Sequence, residues 1–367
     1  MAGTVSATPH FDVAVVGAGP AGSATAVAAR RRGLSVLLVD QATFPRRKVC
    51  GCCLNAHATS ALTALGLGGL LRELGAVPLP RVELAARGRR ATLLQTGSFG
   101  LSREAFDVAL IRAAVAAGTE FHPGVKVPTP ARVGNRWHLE VGQPVTATTL
   151  VDATGLNGRF LNPEPVVAPS ARIGAGAVFA ADTPHYPPGT VTLGVGRGGY
   201  VGLVRLEDGR LDAAAAFDAG HVRASGSLAA AAAAVLIEAG LPALPDGAWK
   251  GTPPLTRRAA AIAGPGWFAV GDAAGYVEPF TGEGMAWAVA GAATLAPLLT
   301  VPDAAALWHA AYRANVAARQ GPCRAIAALL RRPAVCGVAV RVLRYWPAVA
   351  APVVRRLNRP LLPRRGL

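Results

Sequence analysis

Three features of this 367-residue chain predict an α/β fold. The first is a short apolar run, Phe11–Val16, that enters the glycine turn Gly17-Ala18-Gly19-Pro20-Ala21-Gly22. The second is the alanine-rich stretch Ser23–Arg32, closed by Gly33 and followed by another apolar run, Leu34–Val39, that ends at Asp40. The third lies far downstream, where Trp267–Val270 leads into the glycine-rich junction GDAAGYVEPFTGEGM and then into more alanine. Short apolar runs read as buried strands, and the first two features together make one strand–helix–strand unit of a Rossmann-like sheet.

The remaining elements follow in order. Residues 42–55 read as a loop, with Pro45, paired arginines and three clustered cysteines, and Ala56–Leu74 reads as a helix. Val77–Ser98 alternates and carries turn signals, so strands are expected there. Arg103–Ala117 reads as a helix capped by Ser102, with Glu104 and Asp107 near its positive end. Val125–Val151 reads as strands ending in Asp152-Ala153-Thr154-Gly155, and strand-like segments recur from Ala171 to Phe217. Ser227–Ala239 reads as a helix, and a helix from near Gly282 to about Leu299 follows the second junction. The rest is helical, interrupted by Pro322, Pro333, Pro347 and Pro352. The expected organisation is a discontinuous nucleotide-binding domain (1–76, 99–170, 255–300), an inserted β-rich substrate domain (77–98, 171–254) and a basic helical segment (301–367).

Half of the chain is apolar, which excludes a disordered protein. The formal net charge of +16 comes almost wholly from arginine, since lysine occurs only at Lys48, Lys126 and Lys250. No basic stripe interleaved with aromatics appears, which argues against nucleic acid as a partner. The charge is uneven, however: after Asp303 there is no acid, while twelve arginines run from Arg313 to Arg365. Five cysteines without a disulfide spacing point to a reducing compartment, and the N-terminal residues carry no signal-peptide pattern, so a cytoplasmic protein is expected.

The first glycine turn has the context a dinucleotide site requires. Gly17 permits the tight turn, Gly19 lets the backbone approach a pyrophosphate, and Gly22 allows helix and strand to pack closely. Pro20 and Ala21 open the helix, whose free amides favour an anion. Asp40, followed by Gln41, closes the second strand where an adenosine ribose would lie. The bland alternative is a glycine turn used only for packing.

NAD and FAD share this fingerprint, and other motifs separate them. Leu101-Ser102-Arg103-Glu104-Ala105-Phe106-Asp107, then Asp152-Ala153-Thr154-Gly155, then Gly271-Asp272 occur in that order. This order resembles the FAD-dependent oxidoreductases of the p-hydroxybenzoate hydroxylase superfamily, most closely the geranylgeranyl reductase and flavin-dependent halogenase branches. The resemblance covers about half the chain. It implies that Asp272 holds a ribityl hydroxyl of FAD and that Pro279, Gly282, Glu283, Gly284 and Met285 pass beside the flavin ring. It also implies that Arg103 and Arg46 or Arg47 contact the cofactor, as do Asp152 and Gly155, although Asp152 also suits a turn cap. The implied activity is a monooxygenase, using NAD(P)H and O2 through a flavin C4a-hydroperoxide, on a hydrophobic substrate such as a polyketide or isoprenoid. The alternatives are a reductase of carbon–carbon double bonds and an electron-transfer flavoprotein to a membrane quinone. The chain lacks the lysine and W-x-W-x-I motif of halogenases and the tryptophan and proline of the reductase substrate motif. No second nucleotide fingerprint appears, since Gly194–Gly199 reads as turn glycine.

The candidate catalytic groups are Cys50, His57 and Pro279. The segment Lys48-Val49-Cys50-Gly51-Cys52-Cys53 resembles a loop that reductases hold near the flavin, which places Cys50 at the ring. A metal is not expected, because the possible ligands crowd along one loop. Arg324–Arg356 alternates apolar stretches with arginines around Tyr345 and Trp346. That pattern suits an anionic membrane surface, reached as a peripheral protein, or an acidic carrier protein.

Overall fold

The computed structural model describes residues 8–156, 158, 160–161, 164–183, 185–278, 280 and 282–357. Two large sheets divide the work. The first has eight strands. Its centre is the strand His10–Val16, which pairs in parallel with Val36–Asp40 on one side and with Pro144–Asp152 on the other. Glu120–Pro123 extends the first side and Trp267–Ala269 the second, again in parallel. Val36–Asp40 is buried at every position, as expected for an inner parallel strand, where each buried Val or Leu contributes about 1.5–3 kcal/mol.

Helix Pro20–Arg30 covers one face of this sheet, and helices Arg103–Ala116 and Gly284–Leu295 pack against it. Ten of its eleven residues are buried, mostly small ones, so neighbouring backbones come close. On the opposite face, Trp137 and Leu139 from the hairpin Ala131–Val133 and Arg136–Glu140 pack on Leu37, Val39 and Leu150.

The second sheet has seven strands in the order Lys250–Pro254, Ile173–Phe179, Leu211–Phe217, Gly199–Arg205, Thr190–Gly196, Arg81–Ala86, Arg89–Leu94. All pairs are antiparallel except Arg81–Ala86 with Thr190–Gly196. Period-two alternation gives it two faces. Ala175, Ala177, Val201, Leu203, Ala213 and Ala215 pack outward against helix Leu228–Ala239. The inward set includes Gly174, Gly176, Tyr200, Gly202, Asp212, Ala214 and Ala216.

Several expected boundaries differ. Ala56–Leu74 is two helices, Ala56–Ala64 and Leu70–Glu73, because Gly66 turns left-handed at φ +65° and ends the first. The helix after the second junction starts at Gly284 rather than Gly282, which itself sits at φ +73°. Pro322 does not interrupt its segment: helix Ala318–Leu329 runs through it, with a π-helical turn over Arg313–Ala317 just upstream. Pro347 does mark a break, and the helical segments on either side of it are bent by 117°.

Candidate cofactor and active site

The first glycine turn forms a cradle. Gly17 has φ +106°, and a Cβ there would sit 2.3 Å from the Ala153 carbonyl oxygen. At Gly22 a Cβ would lie 1.8 Å from the Gly17 oxygen. These two glycines are therefore demanded by backbone contact. Gly19 is different: the nearest atoms to its missing Cβ are guanidinium nitrogens of Arg46 and Arg103, each at 3.8 Å. Open space above a helix N-terminus, flanked by two guanidiniums, is what a diphosphate requires.

Asp40 is buried and braces this turn. Its Oδ2 accepts from the Ala18 amide at 2.8 Å and its Oδ1 from the Ala42 amide at 2.8 Å. Arg46 lies 3.4 Å from Oδ2. A carboxylate offers about four lone-pair sites, so a ribose hydroxyl still finds an acceptor. Gln41 is exposed beside it. Of the paired arginines, Arg46 reaches the cradle, whereas Arg47 points to the other sheet and donates to the Gly176 oxygen at 3.5 Å. The geometry therefore puts Arg46, and not the expected Arg47, at the cradle. Sequence could not separate two adjacent arginines.

The second glycine junction arrives at the same place. Gly271 has φ +62°, and a Cβ there would meet the Ala21 methyl at 2.7 Å. The one-turn 3-10 helix Gly271–Ala274 therefore rests on the N-terminal turn of helix Pro20–Arg30, which brings Asp272 to the cradle. Burial raises the affinity of Asp272 for its proton, and the nearby charges of Lys48, Arg103 and Arg257 oppose that. Lys48 is enclosed as well: burial pushes its pKa down, and Arg103 and Arg46 push it further. Its Nζ lies 3.2 Å from the missing Cβ of Gly155, which has φ +77°. Arg103 is buried and donates Nε and Nη2 to the two Asp107 oxygens, both at 2.8 Å. Burial works against its charge, but Asp107 and Cys50 outweigh it. Asp152 turns into its own loop and accepts from the Thr154 amide at 3.1 Å and hydroxyl at 2.5 Å, the turn-cap geometry.

The cysteine loop lies between the flavin-side elements and the inner face of the seven-stranded sheet. Gly51 would place a Cβ 3.8 Å from Ala214, Val49 stands over Gly176, and Gly282 abuts Cys53. Cys50 accepts a hydrogen bond from the Cys52 thiol, which lowers its pKa to about 6 against the cost of burial, with help from Arg103. Cys52 is left-handed at φ 50° and buried. Asp212 is buried on the inner face, next to these thiols, and one of its oxygens has no hydrogen-bond partner. Desolvation and the Cys50 charge raise its pKa. Asp212 is a buried acid beside the candidate site that motif reading did not single out. Its signal was present in the alternation of LDAAAAF, which puts the one acid on the same face as Ala214 and Ala216.

His57 does not match its catalytic expectation. It is buried in helix Ala56–Ala64, and neither ring nitrogen has a hydrogen-bond partner. Desolvation, aided by Arg319, lowers its pKa to about 3, so it is a neutral packing residue at ordinary pH. Pro279 lies outside the described residues. Glu283 is buried at the N-cap of helix Gly284–Leu295, where its Oε2 accepts from the Cys323 thiol at 2.6 Å. Desolvation raises its pKa to about 7. Gly284 leaves room beside the Tyr276 ring, and Met285 packs into the core with Leu54 and Phe106.

A family model described as FAD dependent oxidoreductase matches residues 12–61, which hold the glycine turn, Asp40 and the cysteine loop. The flavin-dependent brominase Bmp2 superposes with a TM-score of 0.79 at 20% identity, over 95% of this chain and 93% of that one. This chain is an FAD-dependent oxidoreductase. The oxidoreductase shares its fold with flavin-dependent halogenases; halogenase PltM, solved with phloroglucinol and FAD, superposes at a TM-score of 0.71 and 15% identity over 95% and 82% of the two chains. It is also 28% identical to the menaquinone reductase of Mycobacterium tuberculosis over 343 residues, covering 83% of this chain and 80% of that protein.

The residues fit the cofactor on structural grounds. The cradle over Gly19, between Arg46 and Arg103, would hold the diphosphate, Asp40 would serve the adenosine end, and Asp272 would serve the ribityl chain. When bound, FAD supplies two-electron redox chemistry. The amides at the start of helix Gly284–Leu295 favour negative charge beside them.

Proposed function

We propose that this oxidoreductase reduces a lipophilic substrate of quinone or isoprenoid type, with NAD(P)H as electron donor. One observation carries the reading: the inner face of the seven-stranded sheet, the side turned to the cysteine loop and Phe280, is built mainly from small and apolar residues, with the buried Asp212 among them. Gly174, Gly176, Gly202, Ala214 and Ala216 line it with small residues, on which Leu255, Val49 and Leu193 pack, while Val195, Tyr200 and Leu255 form an apolar cluster with Tyr276 and Phe280 around it. Tyr200 stacks edge-on against Phe280 at 5.2 Å. Arg47 and Arg172 reach this face at Gly176 and over the Tyr200 ring, but the small and apolar residues outnumber them, which suits a flat or prenylated hydrocarbon. The name of the menaquinone reductase relative supports the same substrate class. Among the described residues, Gly196–Gly199 is a hairpin turn and not a second nucleotide cradle. NAD(P)H would then have to reach the flavin without a domain of its own.

Oxygen insertion into the same class of substrate is the second reading, favoured by the enclosure of Tyr276 and Phe280 in that apolar cluster. Anaerobic mixing separates the two. Holoenzyme reduced with NADPH is mixed under argon with menaquinone in detergent micelles, and the flavin absorbance is followed. The reductase reading expects reoxidation at least ten-fold faster than in micelles alone. Flavin that stays reduced until oxygen is admitted, with oxygen then found in the product, overturns it in favour of the monooxygenase.

A further inference from the structure

The last two helices, Pro333–Tyr345 and Ala351–Leu357, have two unlike sides. The inner side of the first belongs to the substrate compartment: Cys336 and Val340 are buried with Tyr200, Ala216 and Leu255, and Phe280 packs on the same cluster. The outer side has no partner among the described residues. Val338 is 62% exposed, Tyr345 and Trp346 65% each, and Val349 61%, with Val335 and Val353 also exposed. Arg332, Arg341, Arg344, Arg355 and Arg356 are exposed around them. None of these five arginines has an acidic partner among the described residues.

We infer that this surface is a docking platform for an anionic lipid bilayer, and that it delivers the lipophilic substrate to the flavin side of the seven-stranded sheet. The inference rests on the substrate class proposed above. Charge selects the occupant: no acid follows Asp303, so the face presents arginines alone to its partner. The apolar and aromatic component excludes a purely electrostatic partner, because Trp346 and Tyr345 at a helix break are placed where a headgroup boundary would lie. Length decides between lying on the membrane and crossing it. Helix Pro333–Tyr345 is about 20 Å long at 1.5 Å per residue, short of the ~30 Å hydrocarbon core. The chain then bends by 117° at Trp346-Pro347, so the two helices cannot form one straight span. Among the described residues no single helix is long and apolar enough to cross a membrane. The helices therefore lie in the interface, with the first standing between the acyl region and the cluster that Cys336 and Val340 share with Tyr200.

Flotation of the full-length holoenzyme with vesicles tests this without any substrate, so its failure is distinct from failure of the reductase reading. Vesicles of equal phosphatidylglycerol and phosphatidylcholine are compared with phosphatidylcholine alone. The expected result is co-flotation with the anionic vesicles, reduced at least five-fold in 0.5 M NaCl. The double variants Arg341→Glu/Arg344→Glu and Trp346→Ser/Val349→Ser each lose it at least five-fold, while retaining bound flavin. Quenching of tryptophan fluorescence by doxyl-labelled lipid should vanish in Trp346→Phe. Holoenzyme that stays unbound to anionic vesicles overturns the inference. So does binding insensitive to both salt and lipid charge. So does a surface that instead pairs two copies in solution or captures an acidic carrier protein while ignoring vesicles.

Discussion

Two glycines three residues apart in the same turn carry different duties. Gly22 is fixed by the Gly17 oxygen, 1.8 Å from where a methyl would go, whereas Gly19 has nothing nearer than two guanidiniums at 3.8 Å. Gly22→Ala should therefore fail to fold or lose the helix–strand contact, read as loss of soluble protein or a collapsed melting temperature. Gly19→Ala keeps an extended φ of −74° that alanine accepts, so its melting temperature should stay close to wild type, a cost of about 1 kcal/mol or less. Its methyl would occupy the diphosphate's place, and FAD affinity should fall at least ten-fold by fluorescence titration. Equal affinity in Gly19→Ala and wild type would remove the cradle from the cofactor site. Spacing alone identified the turn. It did not say which glycine answers to the protein and which to the ligand, because that depends on Ala153 and Arg103, far away in sequence.

At the scale of elements, helices Ala56–Ala64 and Gly284–Leu295 bring two buried titratable groups under one arginine of helix Ala318–Leu329. His57 and Glu283 are both influenced by Arg319, which pushes the histidine further down and tempers the rise of the glutamate. Their contributions to stability have opposite signs. His57 has a folded pKa of about 3, below its ordinary 6.5, so its contribution is complete above pH 6.5 and is lost as pH falls. Glu283 has a folded pKa of about 7, above its ordinary 4.5, so its contribution is complete below pH 4.5 and is lost as pH rises. Each slope is at most about 1.4 kcal/mol per pH unit, and between pH 4.5 and 6.5 they oppose each other. His57→Leu should leave a melting temperature that falls across that window, and Glu283→Gln one that rises. Slopes of the same sign in both variants would contradict the assignment. Sequence placed Glu283 at a helix start but also offered His57 as a base. A histidine among alanines carries no mark of whether its ring meets substrate or another helix. The strand Leu211–Phe217 was more legible: alanine favours helices, yet a single acid at the strand's second residue and strand neighbours on both sides disclosed the alternation.

Across the whole molecule, one charged cluster joins three parts. Arg172 is 1% exposed at the entry to the seven-stranded sheet, and it donates to Glu278 of the second junction at 3.2 Å and to Asp218 at 3.3 Å. Arg331, just before the basic helices, donates to Asp218 at 2.8 Å and to the Ser170 carbonyl. Because Arg331 and Asp218 are partly exposed, solvent screens the pair and Arg331→Ala should cost only about 1 kcal/mol globally. Its local effect should be larger: the segment from Pro333 onward loses an anchor, and trypsin should cut at Arg341 and Arg344 several-fold faster while the flavin stays bound. Unchanged cleavage would mean that the apolar contacts of Cys336 and Val340 hold the segment alone. None of this cluster was readable beforehand, since its four members span about 160 residues and only the folded sheets bring them together. The two-sheet plan itself was readable, because each glycine junction and each alternating run keeps its local signal.

The pairing of Arg81–Ala86 with Thr190–Gly196 has a consequence for synthesis. The hairpin Arg81–Leu94 leaves the ribosome about a hundred residues before the strand that will cover its open side. At roughly 5–20 residues per second, that edge waits on the order of 5–20 s without a partner. Two neighbouring arginines, Arg89 and Arg90, lie on the other strand of that hairpin, where repulsion between nascent chains guards it against adhering to a second copy during the delay.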